Sequence, residues 1–195
     1  MKTVELYLIR HGKTPGNEEK RYLGRTEESL SENGRRELLG KQVPAAKVLF
    51  ASPMKRCRES CQCLYPHMEP ILIEDFREID FGIFEGKNYQ ELSGDKEYQA
   101  WIDSGGTMAF PQGESRQDFI KRNLAGFQEL LTILRGIPEE KISAAAVVHG
   151  GTIMSILSGA YGGDYYDYQI PNGEGYRVSM QLEENDFQIL SAERI

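Results

Sequence analysis

Long apolar runs are missing from this chain. No stretch approaches the roughly 20 residues needed to cross a bilayer, and the opening Met1-Lys2-Thr3-Val4-Glu5-Leu6 puts an acid where a secretory leader needs apolar residues. These two features predict a cytoplasmic protein. A basic excess is missing as well: 23 Lys and Arg stand against 30 Asp and Glu, a formal net charge of -7. That excludes broad electrostatic adhesion to nucleic acid or anionic membrane, because both require a basic face. Any anion site must therefore be local. Cysteine is scarce, and Cys57, Cys61 and Cys63 have only His67 nearby as a nitrogen ligand, so no metal site is expected. Cys57 and Cys61 lie four apart on an expected helix, the spacing of one packed face, where they serve as small apolar fillers. Low-complexity runs and internal repeats are also lacking. What remains is an ordinary globular composition over 195 residues, enough for one domain, 1–195, with a substantial core.

Residues 3–9 (TVELYLI) form a compact apolar run that ends at Arg10-His11-Gly12. This reads as a buried strand delivering a polar pair at its C-terminal end, the place where open α/β sheets bind ligands. A helix is predicted from Ser31, its cap, to Gly40 and Pro44. Residues 47–51 (KVLFA) give a second strand, after which Ser52-Pro53 opens a helix with proline at the tolerated first position and Arg56 in the first turn. Residues 70–73 supply a third strand. Residues 76–113 lack a strand period but are rich in aromatics, which predicts a cap-like excursion over one end of the sheet. Apolar residues at 119, 120, 124, 127, 130, 131 and 134 have helical spacing within 114–134. Residues 144–148 (AAAVV) form another buried strand, ending in His149-Gly150-Gly151 before a helix over 152–157. Residues 176–182 and 186–190 pair through a turn. Alternating helices and strands imply an α/β fold, a three-layer α/β/α sandwich with a mostly parallel central sheet.

Three strand ends release basic groups: Arg10 with His11, Arg56, and His149. If those strands are neighbours, the groups share one pocket. Two guanidiniums supply forked donors for phosphate oxygens, and glycines 12, 150 and 151 let backbone amides approach an anion. Each piece alone has a plainer reading as a solvated strand end, a turn or an exposed helix start. The weight lies in the set.

That set resembles the histidine phosphatase superfamily, which includes the cofactor-dependent phosphoglycerate mutases. Leu8-Ile9-Arg10-His11-Gly12-Lys13-Thr14 with Asn17 is similar to the family's opening Arg-His-Gly signature, and Ala51-Ser52-Pro53-Met54-Lys55-Arg56 to its Ser-Pro-x-x-Arg element. Residues 77–86 (REIDFGIFEG) and 147–151 (VVHGG) match the third and fourth elements, in family order. The resemblance implies a phosphoglycerate mutase-like fold and a role for each residue. His11 would be the nucleophile that takes the phosphoryl group; Arg10, Arg56 and His149 would bind its oxygens; Glu78 would shuttle the proton. Asn17, Thr14, Gly150 and, in the Tyr22-Leu23-Gly24-Arg25 loop, Gly24 would shape the substrate side. Two arginines and a protonatable histidine can stabilise the transferring group without a metal or other cofactor. Glu74, Asp75 and Glu85 are the local competitors of Glu78.

Hydrolysis is expected over mutase chemistry. Mutases of this family are typically longer, whereas Phe84-Glu85-Gly86 and Phe110-Pro111-Gln112-Gly113-Glu114-Ser115 are similar to elements of the α-ribazole phosphatase-like branch. The expected partner is a small phosphorylated metabolite, α-ribazole phosphate or another phosphomonoester, with no nucleic acid, no membrane and no assigned oligomeric state. A phosphoglycerate mutase and a non-catalytic phosphate-binding module are the alternatives. Trp101 and Phe110 either stack on a flat leaving group or form cap core.

Overall fold

The computed structural model describes residues 1–195. Its centre is a six-stranded sheet of β1 (Lys2–Arg10), β2 (Val48–Ala51), β3 (Ile71–Leu72), β4 (Lys141–Val148), β5 (Gly175–Leu182) and β6 (Phe187–Arg194), in the order β3-β2-β4-β1-β5-β6. The strands β3, β2, β4 and β1 run parallel, while β5 and β6 add an antiparallel edge. The sheet is therefore mostly parallel, as the sequence predicts.

The parallel strands are apolar at nearly every position because both sheet faces are covered. Leu6, Leu8, Phe50, Ala144, Ala146 and Val148 point to one face, where Phe127, Leu130, Leu131 and Leu134 of α5 (Arg116–Gly136) and Ile153, Ile156 and Leu157 of α6 (Gly150–Ala160) meet them. Their sequence neighbours Ile9, Leu49, Ala51, Ala145 and Val147 point the other way, against Leu38 of α2 (Glu32–Leu39) and Cys57, Cys61 and Leu64 of α3 (Lys55–Leu64). Period-two alternation thus yields three layers. Each fully buried aliphatic side chain contributes roughly 1.5–3 kcal/mol, and the two cysteines act here as fillers; burial pushes the Cys61 thiol up to about 12. The short α1 (Pro15–Glu18) follows β1 directly.

Helix boundaries follow their caps. The Ser31 hydroxyl accepts from Gly34 N–H, and the Ser115 hydroxyl from Asp118 N–H. Several boundaries differ from expectation, three of them with a clear local cause. α3 begins at Lys55 with Met54 as its cap, so Pro53 precedes the helix and does not open it. α6 begins at Gly150, two residues early, since helix formation starts where β4 ends at the paired histidine. β6 continues to Arg194, because an edge strand tolerates the charged residues Glu193 and Arg194 that hide its alternation.

Residues 76–113 form short helical turns and α4 (Lys96–Asp103) around a separate apolar cluster of Ile79, Phe84, Leu92, Phe110 and Phe119. Trp101 lies between Tyr98 and Phe110, with ring centroids 6.2 and 4.8 Å away and both pairs stacked. Trp101 thus packs within the cap cluster while also lining, with Phe110, the cleft beside it. No helix is long and apolar enough to cross a membrane.

Candidate active site

β4 lies between β1 and β2, with Arg10 opposite Val148 and Ala51 opposite Val147. The chain leaves all three strands at the same sheet edge, so His11, Ser52 and His149 emerge side by side. The imidazoles of His11 and His149 sit 5.2 Å apart in an edge-on arrangement, and both residues are buried.

His11 Nδ1 is 2.7 Å from the carbonyl oxygen of Gly12. A carbonyl only accepts, so Nδ1 carries the proton and Nε2 presents its lone pair. Burial, followed by Arg56 and then Arg10, holds the His11 pKa well below that of an ordinary histidine. Neutral, tautomer-defined imidazole is the nucleophilic form. His149 is depressed in the same way, by burial first and then by Arg56. Its Nε2 is 2.8 Å from the Ser52 hydroxyl, with Cys57 Sγ 3.5 Å away.

Arg56 is 1% exposed, and no carboxylate pairs with it. Its Nη1 donates to Thr26 O at 2.9 Å, and Nη2 donates to Gly24 O at 2.9 Å and Leu23 O at 3.3 Å. The half-buried Arg10 donates through Nη1 to Ile170 O at 2.6 Å. The Nε atoms of both arginines are buried without a hydrogen-bond partner in the protein. Buried donors are nearly always paired, and a cation removed from water calls for a counter-charge. Two such guanidiniums beside two neutral imidazoles make a site suited to an oxyanion.

Glu78 is half-buried beside this group and accepts at Oε1 from Ile79 N–H at 3.0 Å. Burial raises its pKa above the ordinary carboxylate range, and Arg56 and Arg10 only partly oppose that. Its segment is held by Arg122, which donates to the carbonyls of Asp75 and Arg77 at 2.7 and 2.9 Å and pairs with Glu114 at 2.8 Å. Two of its three competitors are otherwise engaged. Glu85 Oε1 accepts from the amides of Gly24 and Arg25, and Oε2 from the Thr26 hydroxyl, while Glu74 is bound to Arg77.

The glycines divide. A Cβ on Gly150 would lie 3.3 Å from Arg10 Nε, and one on Gly151 would lie 2.5 Å from Glu78 Oε1, so this pair lets both side chains reach the start of α6. Gly12 does something else. Its amide donates to Ser60 Oγ at 3.0 Å, and a Cβ there would strike Leu38 Cδ1 at 2.7 Å. It serves helix packing, and its amide is not free for an anion. Thr14 and Asn17 cap α1 reciprocally: Asn17 N–H donates to Thr14 Oγ1, and Thr14 N–H donates to Asn17 Oδ1. Asn17 Oδ1 also accepts from Asn172, which donates to His11 O at 3.1 Å as well. Thr14 is fully buried, so its part is to hold the loop.

Gly24 joins the cap to Arg56. A Cβ at this position would fall 1.8 Å from Ile79 O and 2.4 Å from Glu85 Oε1. Gly24→Ala is therefore expected to displace the loop that receives the Arg56 guanidinium, destabilising the fold by about 1–3 kcal/mol. The measurement is urea unfolding together with steady-state kinetics; an unchanged midpoint and unchanged kcat/KM would contradict the close approach.

Several contributors escaped sequence reasoning. Ser52 was legible only as part of a helix opening, and Asn172 carries no local signal at all. A cleft of about 420 Å³ is lined by Arg10, Glu78, Gly150 and Gly151 together with Arg116, Tyr165 and Tyr166. The two tyrosines lie in the short helical turn Tyr165–Tyr168 that follows α6. The Tyr165 hydroxyl donates to Gly151 O at 3.5 Å, and burial pushes its pKa up.

A mostly parallel sheet thus gathers two histidines, two arginines and a raised-pKa glutamate at one edge, a set with the charge and donors that suit a phosphoryl group. The model of the histidine phosphatase superfamily (branch 1) matches residues 6–193, and the chain belongs to that superfamily. It is 28% identical over 163 residues to the uncharacterized phosphatase PhoE of Bacillus subtilis, covering 80% of this chain and 77% of that one. The crystal structure of phosphoglycerate mutase from Thermus thermophilus superposes with a TM-score of 0.68 at 27% identity, covering 98% of this chain and 99% of that one. The alpha-ribazole phosphatase from Shigella flexneri superposes at 0.78 over 95% of this chain and 94% of that one; at 17% identity it speaks for the fold alone.

Proposed function

We propose that the protein is a metal-independent phosphatase that hydrolyses small phosphomonoesters through a phosphohistidine on His11. The observation that carries this is the His11 tautomer: with Nδ1–H committed to Gly12 O at 2.7 Å, Nε2 is the only imidazole atom able to attack, and it does so between two guanidiniums. In the first step Nε2 forms a bond to phosphorus, and the ester oxygen leaves with a proton from Glu78. Arg10, Arg56 and His149 hold the equatorial oxygens, where charge builds up. In the second step ionised Glu78 takes a proton from water, which attacks phosphorus and releases inorganic phosphate and neutral His11. Two fixed cations supply the electrostatic stabilisation that a divalent ion provides elsewhere, which supports independence from metal.

The test is to assay purified protein on a panel of phosphomonoesters, α-ribazole phosphate included, with and without EDTA. Turnover is expected to be insensitive to the chelator, and strict dependence on a divalent cation would refute the mechanism. The likeness to a phosphoglycerate mutase supports a second reading, in which the group returns to an acceptor hydroxyl. Phosphorus NMR separates the two, since hydrolysis accumulates inorganic phosphate whereas a mutase interconverts phosphoglycerates.

A further inference from the structure

Hydrolysis of a simple ester makes no use of Arg116. This residue opens α5 and lines the cleft, with its guanidinium carbon 5.7 Å from the ring centroid of Tyr165 and 5.8 Å from that of Tyr166. None of the chain's ion pairs includes it. The adjacent acids are taken: Asp118 accepts from the Ser115 hydroxyl at 2.6 Å, and both oxygens of Glu114 accept from Arg122. A cation in the first turn of a helix also opposes the helix dipole, so neither local pairing nor helix stability accounts for it. Glu78 is the only carboxyl lining the cleft, and the cations there are Arg10 and Arg116. In a chain of net charge -7, this makes the cleft locally positive beyond the needs of the reacting phosphate. Much of the remaining cleft wall is apolar and aromatic, including Tyr22, Phe81, Trp101, Phe110 and Met154.

We propose that Arg116 binds a second oxyanion, carried by the leaving group. The favoured substrates are then phosphomonoesters whose apolar or aromatic body bears a carboxylate or another phosphoryl group, and Arg116 is the specificity-determining residue. This rests on the phosphatase reading above. Seated on two tyrosine rings, the guanidinium has its orientation restricted before a ligand arrives, while its donor edge remains available for a bidentate contact.

The experiment has a binding arm and a turnover arm. In the first, benzylphosphonate, para-carboxybenzylphosphonate and para-phosphonobenzylphosphonate are titrated calorimetrically into the wild type, Arg116→Met and Arg116→Lys. A charge-assisted contact should make one or both doubly anionic ligands bind roughly 10–100-fold tighter than benzylphosphonate to the wild type, and which of them gains tells carboxylate from phosphoryl. Arg116→Met should erase the difference, and Arg116→Lys should retain part of it. Equal binding of all three ligands by the wild type, or discrimination that survives in Arg116→Met, would overturn the proposal. In the second arm, phenyl phosphate and para-carboxyphenyl phosphate are compared as substrates, and the kcat/KM ratio between them should fall by the same factor in Arg116→Met. Absence of turnover together with intact discrimination in binding would reject the hydrolysis reading and leave the subsite standing. Turnover without discrimination would do the reverse.

Discussion

Replacing His11 with asparagine should lower the turnover of every phosphomonoester by on the order of 10⁴–10⁶-fold, the usual scale for loss of a covalent nucleophile. Asparagine can still donate toward the Gly12 carbonyl, the contact that His11 Nδ1 makes at 2.7 Å, but it has no lone-pair nitrogen to attack phosphorus. Arg10, Arg56 and His149 are untouched by the change, so phosphate should still bind and the variant should remain folded. The direct measurement is chemical: wild type quenched during turnover of a radiolabelled ester should carry acid-labile label on His11, and the asparagine variant should carry none. Label on His149 would assign the attack to the wrong imidazole. Full activity in the variant would end the covalent scheme altogether.

Glu78→Gln should act on the pH profile as well as on the rate. The Glu78 pKa is raised, chiefly by burial, and the His11 pKa is depressed, also chiefly by burial. For the first step the carboxyl must be protonated and the imidazole neutral. The sign follows directly. As pH rises through the Glu78 pKa the proton donor is lost and kcat/KM falls; as pH falls through the depressed His11 pKa the nucleophile is protonated and kcat/KM falls on the other side. Glutamine removes the alkaline fall due to Glu78 and lowers the plateau by about 10²–10⁴-fold. Ionisation of the substrate phosphate, with a pKa of about 6, affects both enzymes alike and cancels in the comparison. The loss should shrink for para-nitrophenyl phosphate, whose leaving group departs as a stable anion without a proton. An equal loss on alkyl and nitrophenyl esters would remove Glu78 from acid catalysis and restrict it to holding the start of α6.

Much of this site was legible because the sheet is parallel and buried. A run such as residues 144–148 has one compatible placement, the interior, and the polar residues that follow it must emerge at the sheet edge. His149 could thus be read from the chain alone, as could Arg10 and His11 after β1. Arg56 was legible by position in a helix, but its burial was not: the same Lys55-Arg56-Cys57-Arg58 stretch would serve equally as an exposed helix start. The carbonyls of Leu23, Gly24 and Thr26 that receive its guanidinium come from a loop about 30 residues earlier, and no local pattern couples the two. Gly12 misled for the same reason, since only the approach of Leu38 shows that helix packing is what requires a glycine there.

The sequence by itself determined the α/β class, the principal helices and strands, the four motif-bearing stretches and the family they resemble, because hydrophobic period, caps and short motifs are properties of neighbouring residues. Tertiary structure alone decided the order β3-β2-β4-β1-β5-β6, the tautomer of His11, the buried setting of Arg56 and the exposure of an unpaired Arg116 to the cleft. Each of these depends on which distant atoms come within a few ångströms, and hydrogen bonding and desolvation act at that range whatever the separation along the chain.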